Sequence, residues 1–450
     1  MILYRARWVV PITAAPIANG MVGVEGTRIA FVGSADDAPP GDEIDLGHVM
    51  LMPGLVNAHC HLELTAMRGF LEDLDFRRWI LRLTNARRAV FDRDALLDSA
   101  RYGVEEGLLS GVTTYADTGD SGVSMQAMRE AGVRGINFQE VFGPDPAQCA
   151  DSIAALKEKV AGLQYTETPL VRVGVSPHAP YTVSDDLFRA TTEFARERHL
   201  PMAIHIAESE LEQQLIVDAE GSFADGLRRR GIGVERRGAT PIELLERLGV
   251  LDVKPLLIHC VRANAADVSR IAVSESPVAH CPASNAKLGH GVAPLGEMLA
   301  AGITVGLGSD SMASNNRMDL LEEARLALFA QRVRLGSHST PSAEDVLELA
   351  TIGGAAALGL GDQIGSIDVG KQADLAAFGL DAIEPTQDPV SAAIFSTSGA
   401  RTRFVCVAGK PLVRDGRLVS SREGLAARVR SLGQALGEWL DAGGEMQGVV

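Results

Sequence analysis

The sequence predicts an α/β fold in which a TIM-type (β/α)8 barrel is joined to a small β-sandwich domain formed by both chain ends. Short apolar runs alternate with helical patterns through the middle of the chain, which is typical of repeated βα units around a parallel sheet. Eight apolar runs occur, at residues 51–58, 112–117, 135–142, 170–176, 201–207, 255–260, 277–281 and 303–309. Helical patterns separate most of them, for example at 185–199, 241–248 and 319–334. Eight strands in this order and spacing favour a closed barrel.

Both ends of the chain have the pattern of short strands and turns. Residues 20–33 alternate between glycines in a way that predicts two hairpin strands, and β-like stretches return at 365–375, 402–410 and 412–417. The predicted division is a composite β-domain of residues 1–52 plus 362–420, a barrel domain of residues 53–361, and a C-terminal helix and tail of residues 421–450. Residues 62–100 are long for one connection, so we expect them to lie over the barrel mouth.

Composition argues against several kinds of partner. The net charge of −16 is unfavourable for binding nucleic acid or an anionic membrane surface. No apolar stretch is long enough to span a bilayer, and the first residues lack the apolar core of a signal peptide. The five cysteines are odd in number and widely spaced, which favours reduced thiols in the cytoplasm over a disulfide framework. A homodimer is left open.

Polar residues stand where several of the apolar runs end, and the catalytic groups of a barrel lie at the C-terminal ends of its strands. His59 and His61 close the first run two residues apart, so on a strand both rings point to one side. His205 ends the fifth run, and Asp310 follows the eighth. We predict that these four residues hold one divalent ion, zinc or alternatively ferrous iron, because such a donor set suits neither calcium nor magnesium. The alternative role for Asp310 is a helix N-cap.

Three further polar residues end predicted strands near this cluster. Glu208 follows His205 by three residues and is a candidate proton carrier, with a helix cap as the alternative. His259 ends the sixth run, where it would stabilise charge at the reacting centre, unless it is a core histidine or a fifth ligand. His178 follows the fourth run and contacts either the substrate or a backbone carbonyl. The predicted catalytic residues are therefore Glu208, His259 and Asp310.

Four motifs carry a resemblance to a known family. They are Asn-Ala-His-Cys-His at 57–61, His-Ile-Ala-Glu at 205–208, Cys-Pro-Ala-Ser-Asn-Ala-Lys-Leu-Gly at 281–289 and Leu-Gly-Ser-Asp-Ser-Met-Ala-Ser-Asn-Asn at 307–316. These segments resemble the amidohydrolase superfamily, specifically its branch of metal-dependent deaminases and chlorohydrolases, and the resemblance covers nearly the whole chain. It implies that the four predicted ligands hold the metal and that Glu208 and His259 move protons. It also implies hydrolytic release of ammonia, or sometimes halide, from a heterocyclic ring.

Two groups within that branch share further segments with the chain. Methylthioadenosine and S-adenosylhomocysteine deaminases are similar at 67–69, 72–74, 79 and 177–178, but they carry an Arg at the position of Gln139 and a Glu near Arg87. Aminodeoxyfutalosine deaminases of menaquinone biosynthesis are similar at 61–64, 138–143 and 176–184. The residues that we expect to bind the substrate are Glu63, Arg68, Trp79, Gln139 and His178, with Arg68 or Arg87 meeting an anionic tail.

The leading hypothesis is a metal-dependent deaminase of an adenine-type nucleoside, of the aminodeoxyfutalosine kind. Its rivals act on S-adenosylhomocysteine or methylthioadenosine, on guanine, or on a chlorinated triazine. The non-enzyme alternative is an inactive amidohydrolase-like scaffold, which would need a lost ligand or proton carrier, whereas each predicted one is present. The expected partner is a small heterocyclic molecule.

Overall fold

The computed structural model describes residues 1–444. The strands in this range are β1 (Ile2–Val9), β2 (Ile17–Glu25), β3 (Arg28–Ser34), β4 (Asp42–Asp45), β5 (Val49–Pro53), β6 (Leu55–Cys60), β7 (Val112–Gly119), β8 (Arg134–Val141), β9 (Val171–Pro177), β10 (Ala203–Ile206), β11 (Leu256–His259), β12 (Val278–His280), β13 (Val305–Leu307), β14 (Leu375–Gly379), β15 (Thr402–Val407), β16 (Lys410–Arg414) and β17 (Arg417–Leu418). The α-helices are α1 (Phe76–Val90), α2 (Arg93–Leu109), α3 (Val123–Ala131), α4 (Cys149–Gln164), α5 (Asp185–Arg198), α6 (Glu210–Gln213), α7 (Gly221–Arg229), α8 (Pro241–Arg247), α9 (Ala265–Ser274), α10 (Pro282–Lys287), α11 (Leu295–Ala300), α12 (Leu320–Leu335), α13 (Ala343–Glu348), α14 (Gly354–Ala357), α15 (Pro389–Phe395) and α16 (Leu425–Asp441).

Strands β6 to β13 follow the eight predicted apolar runs in order. They form two four-stranded sheets, β6–β9 and β10–β13, in which neighbouring strands pair in parallel. A single parallel bridge joins the sheets at each seam, between Val175 and Met202 and between Cys60 and Asp310. The eight predicted strands and their common direction are therefore confirmed, and each seam consists of one bridge rather than a continuous ladder.

The side chains that point between these strands form a compact apolar cluster. Ile136 and Phe138 of β8 belong to it, together with Ala203 and Ile258 from β10 and β11. Because consecutive residues of a strand point to opposite faces, the next residue of β8 on this inner face is Glu140, close to the C-terminal end of the strand. The inner faces of the strands are thus apolar along their length and polar at their C-terminal ends.

The strands from the two chain ends form one nine-stranded sheet, as predicted in outline. Its order is β17-β16-β15-β14-β5-β1-β2-β3, with β4 paired to β1. The N-terminal and C-terminal parts meet where β5 and β14 pair antiparallel, with Leu51 opposite Ala377. The inner side chains, including Tyr4, Leu375 and Phe404, form a separate buried cluster. The two layers of a sandwich and the exact domain boundaries remain predictions.

One predicted strand segment is wrong for most of its length. Of residues 365–375, only Leu375 lies in a strand, at the start of β14. Gly365 and Gly370 have φ angles of 88° and 94°, a conformation that turns the chain and interrupts an extended strand. Most of the predicted β-like stretch is therefore an irregular segment.

The segment predicted to lie over the barrel mouth is largely helical. It contains a 3₁₀ segment at Leu62–Met67, then α1 and the first part of α2. The helix of the predicted C-terminal segment is α16, while residues 445–450 of the predicted tail lie outside the described residues. Between residues 1 and 444, no helix combines the length and apolar character that crossing a bilayer requires. The cytoplasmic location and the homodimer remain predictions.

A buried ion pair connects the start of β8 to the sheet built from the chain ends. Arg134 donates through Nε and Nη2 to the two carboxylate oxygens of Asp374, at 2.8 and 3.1 Å. The same carboxylate accepts the amide of Ala408 at 2.7 Å, and the Asp374 carbonyl accepts the amide of Gly54 at 2.8 Å. One residue thus holds three segments that are distant in sequence.

We expect Asp374→Asn to lower the free energy of unfolding by about 3–5 kcal/mol, because it leaves the guanidinium of Arg134 buried without a counter-charge. The measurement is denaturant unfolding of the two proteins side by side. The control is Asp186→Asn, which removes the exposed partner of Arg189 and should cost less than about 1 kcal/mol. Equal losses from both substitutions would show that the buried pair has no special role.

Candidate metal centre and substrate cavity

The four predicted metal ligands lie together where β6, β10 and β13 end. The Nε2 atoms of His61 and His205 are 3.3 Å apart, and Asp310 Oδ1 is 3.3 Å from His59 Nε2 and 3.5 Å from His61 Nε2. Two ligands about 2.1 Å from one ion at a tetrahedral angle lie about 3.4 Å from each other. The observed spacings therefore fit a single ion, and the structure brings together the four residues that the sequence predicted.

Backbone carbonyl groups orient two of the imidazoles. His61 Nδ1 lies 2.9 Å from the carbonyl oxygen of Thr118, and His205 Nδ1 lies 3.1 Å from that of His178. A carbonyl can only accept, so each Nδ1 must carry the proton and donate it. The Nε2 atoms are then left with their lone pairs directed at the cluster, which is the usual arrangement of a metal-binding histidine.

Asp310 is held by three neighbours on its own side of the cluster. Its Oδ2 accepts hydrogen bonds from the hydroxyls of Ser284 and Ser314 at 2.5 and 3.1 Å, and its Oδ1 accepts the amide of Ser311 at 2.7 Å. Burial alone would raise the pKa of Asp310, but the close contact with His59 at 3.3 Å and the nearby imidazoles hold this pKa well below its ordinary value. The side chain is therefore a fixed carboxylate. It accepts a backbone amide, as a helix N-cap does, but the same oxygen also faces the imidazoles of His59 and His61.

The ring of His59 supplies the clearest test of whether a metal fits. It is fully buried, and neither ring nitrogen has a hydrogen-bond partner among the described residues. Such an unsatisfied buried group costs about 1–3 kcal/mol, which an ion bound at Nε2 would offset. Burial lowers the pKa of His59 to about 4, and burial also lowers the pKa of His61 and of His205. The neutral imidazoles and one carboxylate fit zinc or ferrous iron.

Backbone strain is concentrated at the same strand ends. Ala207, His259, Cys260 and Asp310 have φ angles of 50°, 74°, 49° and 56°, in the left-handed region. Each such residue costs on the order of 1–3 kcal/mol and is retained only where the surrounding structure enforces it. The strand ends that carry the polar side chains are therefore held in one conformation by their packing.

Glu208 lies between two histidines beside the cluster. Its Oε1 is 3.5 Å from Nε2 of His259 and 3.4 Å from Nε2 of His290, and Nδ1 of His259 is 3.0 Å from Asn285 Oδ1. Burial alone would raise the pKa of Glu208, but the charge of His259 and the contact with His290 hold this pKa below its ordinary value. The sequence prediction missed His290 because it lies in a glycine-flanked loop after α10 and not at a strand end.

A cavity of about 450 Å³ opens onto this polar cluster. The side chains that line its walls are largely aromatic and apolar, among them Phe76 and Trp79 from α1, Tyr181, and Phe223 from α7. The rings of Tyr181 and Phe223 are stacked with centroids 4.5 Å apart. A flat heterocycle can therefore bury its faces against these walls while its polar edge meets the cluster.

Three of the five predicted substrate-binding residues line the cavity. They are Glu63, Trp79 and His178, the last held through its Nδ1 at 2.7 Å from the hydroxyl of Thr182. Burial lowers the pKa of His178 to about 3, so this ring is a neutral hydrogen-bonding group. Arg68 does not line the cavity and instead forms an ion pair with Glu106.

Gln139 also lies outside the cavity, because it occupies the outer face of β8. Its amide donates to the carbonyl oxygens of Asp120 and Glu140, at 2.8 and 3.3 Å. Glu140, one residue later, lines the cavity in its place. A displacement of one residue along a strand moves a side chain to the opposite face. The apolar pattern alone did not decide whether Gln139 or Glu140 faces the cavity.

Arg87 is the arginine that lines the cavity beside Glu63. It donates to Glu63 Oε1 at 2.6 Å and also forms an ion pair with Asp120. Burial alone would lower the pKa of Arg87, but these two carboxylates raise it. Its guanidinium is therefore already engaged by the protein, whereas Arg88, exposed at the same cavity, has no ion pair among the described residues.

The three cysteines next to site residues are not placed for nucleophilic catalysis. Burial raises the pKa of the thiols of Cys60, Cys260 and Cys281. The three side chains are buried and do not line the cavity. Buried thiols outside the cavity cannot reach a substrate bound in it.

The sequence matches the amidohydrolase family over residues 50–412. The chain belongs to this family. A 5-methylthioadenosine/S-adenosylhomocysteine deaminase of Moorella thermoacetica is 30% identical over 442 residues, covering 93% of this chain and 95% of that protein. The prediction of a metal-dependent hydrolase is confirmed by the family and by the complete His/Asp cluster, which leaves the inactive-scaffold alternative without support.

Two solved structures of similar fold contain zinc. An adenosine deaminase from Xanthomonas campestris aligns with a TM-score of 0.86 at 28% identity, covering 97% of this chain and 98% of that one. An atrazine chlorohydrolase from Arthrobacter aurescens aligns with a TM-score of 0.83 at 27% identity, covering 96% of this chain and all of that one. These likenesses support a metal-dependent barrel with an additional β-rich domain, and they do not distinguish between the two kinds of reaction.

We expect one divalent ion per chain in the purified protein and loss of most of it in His205→Ala, because that change removes one of four donors. Elemental analysis of gel-filtered protein measures the ratio. The matched control is His280→Asn, since His280 is buried at the end of a strand, as His205 is, but lies outside the described metal-binding groups. Two ions per wild-type chain, or none in active protein, would contradict the prediction.

Proposed function

We propose that the chain hydrolyses the exocyclic amine of an adenine nucleoside and releases ammonia. The observation that carries the proposal is the position of Glu208 and His259, which stand between the His/Asp cluster and an apolar cavity able to hold a flat ring. The reported likenesses to a methylthioadenosine/S-adenosylhomocysteine deaminase and to an adenosine deaminase support the adenine ring as the reacting group.

The proposed reaction adds the oxygen of water to C6 of the ring and breaks the bond from C6 to its amino nitrogen. A zinc ion held by His59, His61, His205 and Asp310 would lower the pKa of a water to about 7, which supplies a nucleophile at neutral pH. Glu208 would accept one proton from that water and pass it to the ring nitrogen, which keeps it in the product. It would then take the second proton from the oxygen bonded to C6 and pass it to the amine, which leaves as ammonia. His259, oriented by Asn285, donates a hydrogen bond to the oxygen that adds to C6.

The finer proposal concerns the group attached to N9 of the purine. We propose methylthioadenosine and S-adenosylhomocysteine as the first candidates, because the reported relative of similar length bears those names. Aminodeoxyfutalosine is the second candidate. Arg88, on the cavity wall and without an ion pair among the described residues, favours a substrate with a carboxylate on its tail. S-adenosylhomocysteine and aminodeoxyfutalosine have such a group, and methylthioadenosine lacks it.

Ammonia release should be greatest with an adenine nucleoside. The panel consists of methylthioadenosine, S-adenosylhomocysteine, aminodeoxyfutalosine, adenosine, guanine and a chlorotriazine, with chloride measured for the last. We expect the largest kcat/KM among the first four, because their N9 substituent fills the outer cavity and contributes binding energy to the reaction. The highest kcat/KM with guanine or the triazine would refute the nucleoside proposal while leaving the metal centre intact.

Glu208→Gln should fold and keep its metal but lose turnover by roughly 10²- to 10⁴-fold, because an amide cannot carry a proton between water and substrate. Metal content and kcat are measured on the same preparation. Glu210→Gln is the control, since Glu210 is a nearby surface residue whose carboxylate pairs with Arg262. A metal-loaded Glu208→Gln enzyme with wild-type kcat would remove Glu208 from the mechanism.

A further inference from the structure

Glu140 is a buried carboxyl group that faces the cavity and has no role in the reaction described above. It is 8% exposed and lines the cavity from the inner face of β8. Its Oε1 is fully buried without a hydrogen-bond partner, and no hydrogen bond to either of its carboxyl oxygens is present within residues 1–444. A buried carboxyl group in this condition is costly. A donor brought by a ligand would remove that cost.

Three charged groups next to Glu140 on this wall, Glu63, Arg87 and Asp120, are already paired with one another. Glu63 accepts hydrogen bonds from Ser121 and Arg87, and Asp120 is paired with the same Arg87. One guanidinium thus serves two carboxylates on this wall and does not form an ion pair with Glu140. Among residues 1–444 no side chain donates a hydrogen bond to Glu140, and the neighbouring carboxylates of Glu63 and Asp120 disfavour an anionic group at this point.

A metal ion is not the natural occupant at Glu140, although its carboxyl oxygen lies within 4.8 Å of ring nitrogens of His178 and His205. Both nitrogens of His205 are engaged, Nδ1 with the carbonyl of His178 and Nε2 on the side of His61. His178 has one nitrogen occupied by the hydroxyl of Thr182. A second ion would have to displace contacts that orient the first site.

We propose that Glu140 binds hydroxyl groups of the substrate's sugar and thereby selects nucleosides over free bases. This inference rests on the proposed function. An adenine nucleoside has two kinds of hydrogen-bond donor, the amino group and the hydroxyls, and the amino group belongs at Glu208 and His259. The hydroxyls are left for Glu140, the unsatisfied acceptor that the described part of the wall offers. A carboxylate has two acceptor oxygens, which suits two adjacent hydroxyls of a ribose.

The test compares adenosine with 2′,3′-dideoxyadenosine, which have the same ring and differ only in those hydroxyls. The proteins are the wild type, Glu140→Ala, the isosteric Glu140→Gln, and Gln139→Ala as the matched control on the opposite face of β8. We expect the wild type to prefer adenosine by roughly 10- to 100-fold in kcat/KM, the combined effect of two hydrogen bonds of about 0.5–1.5 kcal/mol each. Glu140→Ala should lose this preference, because its kcat/KM should fall for adenosine and stay unchanged for 2′,3′-dideoxyadenosine. Glu140→Gln should keep part of it, because its amide oxygen still accepts one bond.

The outcomes separate the possible explanations. Gln139→Ala should change kcat/KM for the two nucleosides by the same factor. If Glu140→Ala also changed both values by the same factor, Glu140 would be only structural and the inference would be overturned. Equal use of the two nucleosides by the wild type would also overturn it, with the deaminase function intact. If no adenine nucleoside reacts, the proposed function fails and this inference fails with it. Two metal ions in the wild type and one in Glu140→Gln would show that Glu140 is a metal ligand instead.

Discussion

The carboxylate of Asp310 is buried at the point where the last of the eight parallel strands returns to the first. The backbone amide of Asp310 donates to the carbonyl oxygen of His59 at 3.0 Å. The same residue therefore forms the seam and contributes a carboxylate oxygen to the cluster. Gly308 makes the close approach possible, because a Cβ at that position would lie 2.9 Å from the Cβ of His59. A buried carboxylate is tolerated only with compensating donors and charge, and imidazoles and two serine hydroxyls provide them. The geometry of the seam and that of the metal site are consequently inseparable.

The histidines of the site differ in the group that contacts Nδ1, and their roles differ accordingly. In His61 and His205 this nitrogen faces a backbone carbonyl, which leaves Nε2 for a metal. In His259 it faces the side chain of Asn285, and Nε2 is directed to Glu208. Chemically identical side chains within one cluster therefore become ligands or hydrogen-bonding groups according to a second contact.

The inner end of the cavity and its walls have different roles. The inner end holds the polar groups that act on the ring, while aromatic residues of α1 and α7 cover the space above them. Because such walls exclude water, electrostatic interactions at the inner end are stronger than they would be in solvent. Glu140 stands on the wall within 4.8 Å of ring nitrogens of His178 and His205, whereas Arg88 lines the cavity as an exposed residue.

The sequence by itself determined the eight parallel strands, the His59 and His61 pair, and the positions of His205, Glu208, His259 and Asp310. These features depend on local alternation and on the rule that catalytic groups stand at the C-terminal ends of barrel strands, so a short segment is enough to recognise each one. Only the tertiary structure decided that Arg87 and Glu140, rather than Arg68 and Gln139, line the cavity, and that His290 meets Glu208. The walls are built from loops and helices far apart in the chain. Their side-chain directions depend on packing, and a shift of one residue reverses the face.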